Sequence, residues 1–334
     1  MKKLFTYFCV LGTSVLGVFG LTGCESSDKI VLAEVTHSVF YAPQYIAASE
    51  GFFEDQGLEV EILLASGADA VMATLISGEA QIGLMGPEAS IYVYEQGLTD
   101  YAINFAQLTQ KDGAFIVSRD STEKTSFELS NLSNKSILGG RNGGVPCMSL
   151  LYVLQQAGLD AQLDTPSAEV NVRTDIDFAA MAGSFYNGEA DYTTLFEPTA
   201  SMAEKEGYGF VVGAVGDYTD SLAYTCYSAK SSFINGRYDD VVAFTKAIQK
   251  AQTWVYEHTD EEVATSLYSY FSDTDYDILV SSIARYRSID AWALTPELTE
   301  SEFEYLQDIM INAGELTKYT SYVDLVDSSI FKKI

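Results

Sequence analysis

The sequence is short of basic residues, histidine and cysteine. It contains 19 Lys and Arg against 47 Asp and Glu, with two histidines and four cysteines in 334 residues. A formal net charge of −28 repels nucleic acid and anionic lipid, so we expect neither as a partner. The length is ample for a large core or two lobes, and no long polar or low-complexity tract interrupts it.

Common catalytic motifs are also missing. The sequence has no G-x-S-x-G elbow, no GxxxxGK[ST] phosphate loop, no HExxH zinc motif and no cysteine cluster. We therefore predict no enzyme activity, no cofactor and no metal. Cys147 and Cys226 lie far from the N-terminus; no spacing argument favours a disulfide between them, and two buried thiols are the simpler expectation.

The N-terminus has the pattern of a secretory signal. Lys2 and Lys3 precede a mostly apolar run that ends in LTGC, with the cysteine at position 24. This ending is similar to a bacterial lipobox, so residues 1–23 are predicted to be removed and Cys24 to carry lipid. Two acyl chains on the thiol suffice for a stable anchor, and residues 24–29 form a short tether. The mature chain then has 17 basic and 47 acidic residues and lies on the extracytoplasmic face of the membrane. An uncleaved membrane helix is the alternative.

One layout occurs twice, about 110 residues apart. The sequence GEA at 78–80 and at 188–190 precedes an apolar run of strand length, and a turn containing proline and glutamate follows at 86–88 and 196–198. Strand, loop and helix occur three times in each half in the same order. The predicted strands are 30–35, 59–64 and 82–85 in the first half, and 136–138, 169–173 and 192–195 in the second. The sequence therefore predicts two similar α/β lobes.

Strands that alternate with helices predict parallel sheets, whose ligands bind beyond the carboxyl ends of the strands. That rule selects one set of connections, all of which precede helices and offer unpaired backbone N–H groups. The selected loops are 36–44, 66–69, 85–88, 139–149, 174–177 and 196–199. We expect these six loops to meet at a cleft between the lobes.

The remaining segments join and complete the lobes. Apolar runs at 114–117 and 223–227 are predicted as the two strands that connect the lobes. Lobe one then comprises residues 30–117 and 228–334, and lobe two comprises residues 118–227. The C-terminal part reads as helical, with capping boxes at Thr259 with Glu262 and at Thr299 with Glu302.

Several motifs resemble a known family. The run HSVFYAPQYIAASEGFF at 37–53, the run SGADAVMATLISGEAQIGLMGPEA, the loop GGRNGG and the tail LTESEFEYLQDIMINAGEL are similar to the SsuA/THI5-like (NMT1-like) substrate-binding proteins of ABC importers. The resemblance covers essentially the whole mature chain. It implies a type II periplasmic-binding-protein fold, two α/β lobes joined by a two-strand hinge with a ligand cleft between them. It also implies delivery of a small molecule to a permease with a cytoplasmic ATPase. A monomer is expected.

Candidate ligand contacts come from the six loops. They are His37, Phe40, Tyr41, Ser66, Gly67, Gly86, Glu88, Arg141, Asn142, Gly143, Phe196 and Glu197. Glu88 and Glu197 each neighbour a proline at the end of a strand, where a carboxylate accepts hydrogen bonds from ring N–H or amino groups and repels anions. The aromatic residues either stack on a flat ligand or pack in the core. Arg141 pairs with a ligand anion or with a cleft glutamate, and His37 bonds either the ligand or the backbone.

The resemblance leaves the ligand open, since the family includes binders of alkanesulfonates, taurine, nitrate and thiamine-related pyrimidines. The acidic cleft favours a neutral or cationic heteroaromatic, such as a thiamine pyrimidine precursor. An alkanesulfonate, taurine or nitrate-type anion is the alternative, and a sensory lipoprotein that does not transport its ligand is another. A related fungal branch makes the thiamine pyrimidine with pyridoxal phosphate and a cysteine-rich motif, which this sequence lacks.

Overall fold

The computed structural model describes residues 29–334, so the predicted signal peptide, the lipidated Cys24 and all of the tether but Lys29 lie outside the described residues. Eleven strands are described. They are β1 (Ile30–Glu34), β2 (Val60–Leu64), β3 (Ile82–Met85), β4 (Ala102–Thr109), β5 (Phe115–Ser118), β6 (Lys135–Leu138), β7 (Ala161–Leu163), β8 (Val170–Arg173), β9 (Tyr192–Leu195), β10 (Phe210–Ala214) and β11 (Thr225–Lys230). The six strands predicted for the two repeats are all present, within a residue of their expected bounds.

Helices cover the sheets and form most of the C-terminal third. They are α1 (Ala42–Ser49), α2 (Phe52–Asp55), α3 (Ala68–Ser77), α4 (Glu88–Glu95), α5 (Val145–Gln156), α6 (Met181–Tyr186), α7 (Thr199–Glu206), α8 (Ser231–Gly236), α9 (Tyr238–Glu257), α10 (Asp260–Leu267), α11 (Tyr276–Ser288), α12 (Glu300–Asn312) and α13 (Tyr322–Leu325). Short 3₁₀ turns lie at Val39–Tyr41, Ser121–Thr125, Leu129–Leu132, Phe178–Ala180, Val215–Tyr218 and Phe331–Lys333. Across residues 29–334, none of the helices combines the length and the apolar character needed to cross a membrane.

Two sheets define two lobes with the same strand arrangement. The first sheet has the order β2-β1-β3-β11-β4. The second, written in the matching direction, has the order β7-β8-β6-β9-β5-β10, in which β7 is an additional edge strand. In each sheet, three strands of the repeated layout pair in parallel, and one strand that arrives from the other lobe is inserted antiparallel beside them. The prediction of parallel sheets is therefore wrong in this respect, and both sheets are mixed. The inserted strands β5 and β11 enter from the connecting segments and run antiparallel to β9 and β3.

The connecting segments differ in position from the predicted ones. Strand β5 pairs with β9 and β10 of the second sheet, and β11 pairs with β3 and β4 of the first. The chain thus passes between sheets at 110–114 and 219–224, which we call the hinge segments. The predicted boundaries between the lobes, after residues 117 and 227, lie a few residues beyond these segments and fall within the inserted strands β5 and β11. An apolar run marks a buried strand but not the sheet to which it belongs.

Local sequence signals act as expected in the helices. Gly78 ends α3 in a left-handed conformation with φ of 85°, as a helix-stopping glycine does. Thr259 and Thr299 each cap a helix in a reciprocal box with Glu262 and Glu302, which confirms both predicted capping boxes. The helices α9 to α12 bury one face each.

Both lobes share one large apolar core that runs from β1 through the hinge segments to α12. A smaller cluster lies between the first sheet and α3 and α4. Cys147 and Cys226 are buried in the large core as free thiols, so the simpler expectation for them is confirmed.

Candidate ligand-binding site

Loops from the two lobes meet at the carboxyl ends of the repeated strands. The Ser38 hydroxyl donates to the Glu197 carbonyl at 2.6 Å, and the Tyr92 hydroxyl donates to the Gly143 carbonyl at 3.0 Å. Arg141 Nε lies 3.7 Å from Asp69 Oδ1. Five of the six predicted loops take part in contacts between lobes. In loop 174–177, Asp175 instead pairs with Arg173 within its own lobe.

Glu88 is buried at the point where the two lobes meet. It is the first residue of α4, it is 2% exposed, and Val145, the first residue of α5, lies against the same site. A Cβ at Gly86 would lie 1.9 Å from Glu88 Oε2 and 2.8 Å from Val145 Cγ2, so only glycine allows this packing. Both helix N-termini therefore point toward one carboxyl group of the protein itself.

The ionisation of Glu88 reflects this position. Burial raises the pKa of Glu88 to about 7, although Arg141 and the backbone amides of Glu88, Ala89 and Val145 act in the opposite direction. Glu88 Oε2 has no hydrogen-bond partner among the described residues. The site thus contains a buried carboxyl oxygen that is free to accept a hydrogen bond.

Glu197 lies at the corresponding loop but in a different environment. It is 1% exposed and its carboxylate accepts hydrogen bonds from Ser201 and Arg285, the latter at 2.7 Å. Ser282 also donates to it at 3.3 Å. These partners occupy both carboxylate oxygens, so Glu197 fixes α7 to α11 and has little capacity left for a ligand.

His37 faces the C-terminal helices. Its Nε2 lies 2.8 Å from the Tyr270 carbonyl, its Nδ1 lies 2.9 Å from the Tyr45 hydroxyl, and its ring stacks on Phe271 at 4.5 Å. The hydrogen bond with Glu34 raises the pKa of His37. The sequence left open whether His37 bonds the ligand or the backbone, and in the structure it bonds the backbone carbonyl of Tyr270.

Sequence reasoning overlooked Glu34, which lies at the end of β1. It is 1% exposed and accepts hydrogen bonds from Gln44 at 2.6 Å and from Tyr45 at 2.8 Å. An acid at the carboxyl end of an otherwise apolar strand is a usable signal, because ligand sites lie beyond such ends.

The predicted aromatic residues divide between core and cleft. Phe40 is fully buried, its ring contacts Phe196 at 5.3 Å and Tyr224 at 5.5 Å, and its carbonyl accepts from Trp292. Phe196 in turn contacts Phe178, which is 38% exposed at the mouth of the cleft. Phe40 therefore belongs to the core beneath the site, and Phe196 with Phe178 forms its apolar wall.

Tyr41 lies between two of the buried acids. It is 4% exposed. Its pKa is raised most by burial and then by the negative charges of Glu34 and Glu88. Its phenol is therefore neutral and able to donate or accept at the cleft floor.

The remaining predicted residues form the rim. Ser66 adopts a positive φ of 60° and Gly67 a φ of 131° before α3, and the Gly67 amide donates to the Val35 carbonyl. Arg141 and Asn142 are exposed, and Asn142 makes no hydrogen bond to a described residue. Gly143 is buried under Tyr92.

Three further buried polar residues were not selected by sequence reasoning, and one of them, Tyr224, lies within the field of Glu88. Asp112 and Tyr224 belong to the two hinge segments, and Ser149 lies on α5; all three are buried. Burial raises the pKa of Asp112 to about 7. No motif marks these residues, because only the fold brings the hinge segments and α5 together.

The paired lobes, the inserted strands and the cleft define a type II periplasmic-binding-protein fold, as the sequence predicted. The family model described as NMT1/THI5 like matches residues 39–262, and the chain belongs to this family.

Known relatives agree with this assignment. YtlA of Bacillus subtilis (strain 168), named as a binding protein, is 41% identical over 324 residues, which cover 96% of this chain and 95% of YtlA. A second protein of that strain, named as an aliphatic sulfonates-binding protein, is 25% identical over 326 residues, covering 95% and 93%. The periplasmic nitrate-binding protein NrtA from Synechocystis PCC 6803 has the same fold, with a TM-score of 0.71 and 14% identity, covering 92% of this chain and 88% of NrtA.

The chain is therefore an extracytoplasmic solute-binding protein of the ABC-importer type. Members of this class bind small molecules and work with a membrane permease.

Proposed function

We propose that this protein is anchored by lipid on Cys24 and binds a small neutral or cationic heteroaromatic molecule, such as a thiamine pyrimidine precursor, for delivery to an ABC permease. The observation that carries the ligand class is the buried, unpartnered Oε2 of Glu88. A buried acceptor without a partner costs stability, and a ligand N–H group that reaches it recovers that cost on binding.

The electrostatics of the cleft support the same ligand class. In an anion-binding site, two helix N-termini aimed at one point bind the ligand's negative charge. Here the carboxyl group of Glu88 already lies at that point and Glu34 is buried nearby, while Arg141 is exposed at the rim. A second anion would face the repulsion of these acids in a region of low dielectric constant.

An anionic ligand is the second candidate. The 25% identical relative is named for aliphatic sulfonates, and NrtA is named for nitrate. Arg141 and the N-termini of α4 and α5 would be the cationic elements of such a site, with Glu88 protonated.

Substitution of Glu88 separates the two candidates. Glu88→Gln keeps the shape but removes the anion, so it should weaken binding of the hydroxymethyl-aminopyrimidine unit of thiamine by about tenfold or more. The same variant should strengthen binding of methanesulfonate, if any is measured. Isothermal titration calorimetry with both probes gives the affinities, and Glu79→Gln on the exposed turn after α3 is the matched control. Tighter binding of methanesulfonate than of the pyrimidine by the unsubstituted protein would refute the proposed ligand class.

A further inference from the structure

Both hinge segments carry a buried polar side chain at the floor of the cleft. Asp112 lies in the segment 110–114 and is 0% exposed, and Tyr224 ends the segment 219–224 and is 5% exposed. Ser149, one turn into α5, is also 0% exposed. Because these residues come from both connections and from the second lobe, they lie where the lobes articulate.

Several polar atoms of this cluster lack a well-aligned hydrogen-bond partner. Asp112 Oδ1 accepts from the Ala114 amide at 2.8 Å. Asp112 Oδ2, Ser149 Oγ and Tyr224 OH have no partner in good hydrogen-bonding geometry among the described residues. The two hydroxyls face Asp112 itself, and hydrogen bonds from them lower its pKa. Three such atoms together are unusual in a protein interior, where nearly all buried polar groups are paired.

Apart from the bond between Asp112 Oδ1 and the Ala114 amide, other groups hold the hinge segments in place. The Leu222 amide donates to the Gln110 carbonyl at 3.0 Å, and the Val215 amide donates to the Ala114 carbonyl at 2.9 Å. The Lys111 ammonium also donates to the Thr219 carbonyl. These bonds hold the hinge without Asp112 Oδ2, Ser149 Oγ or Tyr224 OH.

The cluster belongs to the same site as Glu88. Burial raises the pKa of Tyr224 most, followed by the charge of Asp112, by Tyr41, by a side-chain hydrogen bond with Asp112 and by Glu88, so its hydroxyl lies within the field of both carboxyl groups. The ring of Tyr224 meets Phe40 edge-on at 5.5 Å, on the side of the cleft lined by Phe196.

We propose that Asp112, Ser149 and Tyr224 form a second polar subsite, which receives an N–H or O–H donor of the ligand other than the donor that Glu88 accepts from. The inference rests on the proposed function and narrows it to heteroaromatic molecules that carry two separate donor groups. Asp112 accepts from the second donor, and the hydroxyls of Ser149 and Tyr224 complete its hydrogen bonds because each can donate or accept.

Calorimetry with the hydroxymethyl-aminopyrimidine unit of thiamine tests the subsite. Tyr224→Phe and Asp112→Asn should each weaken binding by about tenfold or more, while their melting temperatures stay at or above that of the unsubstituted protein. Tyr227→Phe is a matched control, since Tyr227 is a buried tyrosine of β11 whose hydroxyl also lacks a partner but whose ring packs on Phe244. Asp120→Asn, at an exposed 3₁₀ cap, is the control for Asp112.

Each outcome bears on one of the two proposals. If the unsubstituted protein binds the pyrimidine and both cluster variants bind it equally well, the subsite is wrong and the proposed function stands. A loss of binding that accompanies a large fall in melting temperature also overturns the subsite, since it shows a structural role. If the unsubstituted protein binds methanesulfonate and not the pyrimidine, both proposals fail.

Discussion

At the scale of single residues, two glutamates with the same sequence context have different roles. Glu88 and Glu197 both follow a buried strand of the repeated layout and neighbour a proline, yet Glu88 keeps an unpartnered oxygen and Glu197 is paired with Arg285. The difference comes from Arg285 on α11, which lies 88 residues beyond Glu197 in the chain. The sequence predicted the same role for both acids, because nothing local to either motif distinguishes a carboxyl group with an unpartnered oxygen from one in an ion pair.

Glu88 should make stability depend on pH. Its folded pKa of about 7 lies above its ordinary value of 4.5, so the folded state binds more protons than the unfolded state between these values. The free energy of unfolding therefore falls as pH rises through this window, by up to about 3 kcal/mol from this group. Urea unfolding at a series of pH values should show a flatter profile for Glu88→Gln, whereas Glu79→Gln should keep the original profile. Parallel profiles for both variants would contradict the buried state of Glu88.

Arg285 should contribute more stability than its neighbour on α11. Arg285→Ala leaves the fully buried Glu197 carboxylate without its cation and should cost about 3 kcal/mol. Arg287 lies on the same helix as Arg285 and forms a half-buried ion pair with Asp260 of α10. Arg287→Ala breaks this pair and should cost about 1 kcal/mol. Chemical denaturation of the two variants provides the comparison. Equal losses would show that Glu197 is not held as described.

At the scale of elements, strand patterns were predictable and sheet membership was not. Apolar runs located the six repeated strands, because a strand covered on both faces is apolar along its length. The inserted strands β5 and β11 were found as runs but placed in the wrong lobe, since pairing with β9 or β3 depends on distant chain segments. Three strands were not predicted. The apolar run of β4 is interrupted by Asn104 and Gln107, and the patterns of the short edge strand β7 and the half-buried β10 are too weak.

A substitution at Gly113 tests whether the hinge segment 110–114 packs closely against Phe40. A Cβ at this position would lie 2.5 Å from the Phe40 ring, so Gly113→Ala should destabilise the protein by about 1–3 kcal/mol through overpacking. Gly183→Ala is the control, because nothing lies within 4 Å of a Cβ there and the helix α6 gains a better helix former. Thermal unfolding should show a lower melting temperature for the first variant and an unchanged or higher one for the second. The reverse order would mean that the hinge segment does not pack against Phe40.

At the scale of the whole molecule, the sequence predicted the class of protein better than its site. Repetition of one layout and the family motifs indicated two lobes with a cleft, and the fold agrees. The floor of the cleft could not be predicted, because Asp112, Ser149 and Tyr224 are separated along the chain and meet only through folding.

The lipid anchor is also a property of the whole molecule. Cys24→Ala removes the acceptor thiol, so the protein should leave the membrane fraction and appear in the soluble extracytoplasmic fraction of cells. Cell fractionation followed by immunoblotting measures the distribution, and Cys147→Ala serves as a control because that thiol is buried in the fold. Continued membrane association of the Cys24 variant would favour an uncleaved membrane helix.

The central claim is that acids at the cleft floor select a heteroaromatic ligand with hydrogen-bond donors. Mass spectrometry of small molecules released by denaturing the freshly purified protein tests it most directly. The account predicts an amino-substituted heteroaromatic compound, present in stoichiometric amount and lost in Glu88→Gln. Release of a sulfonate or nitrate instead would contradict it.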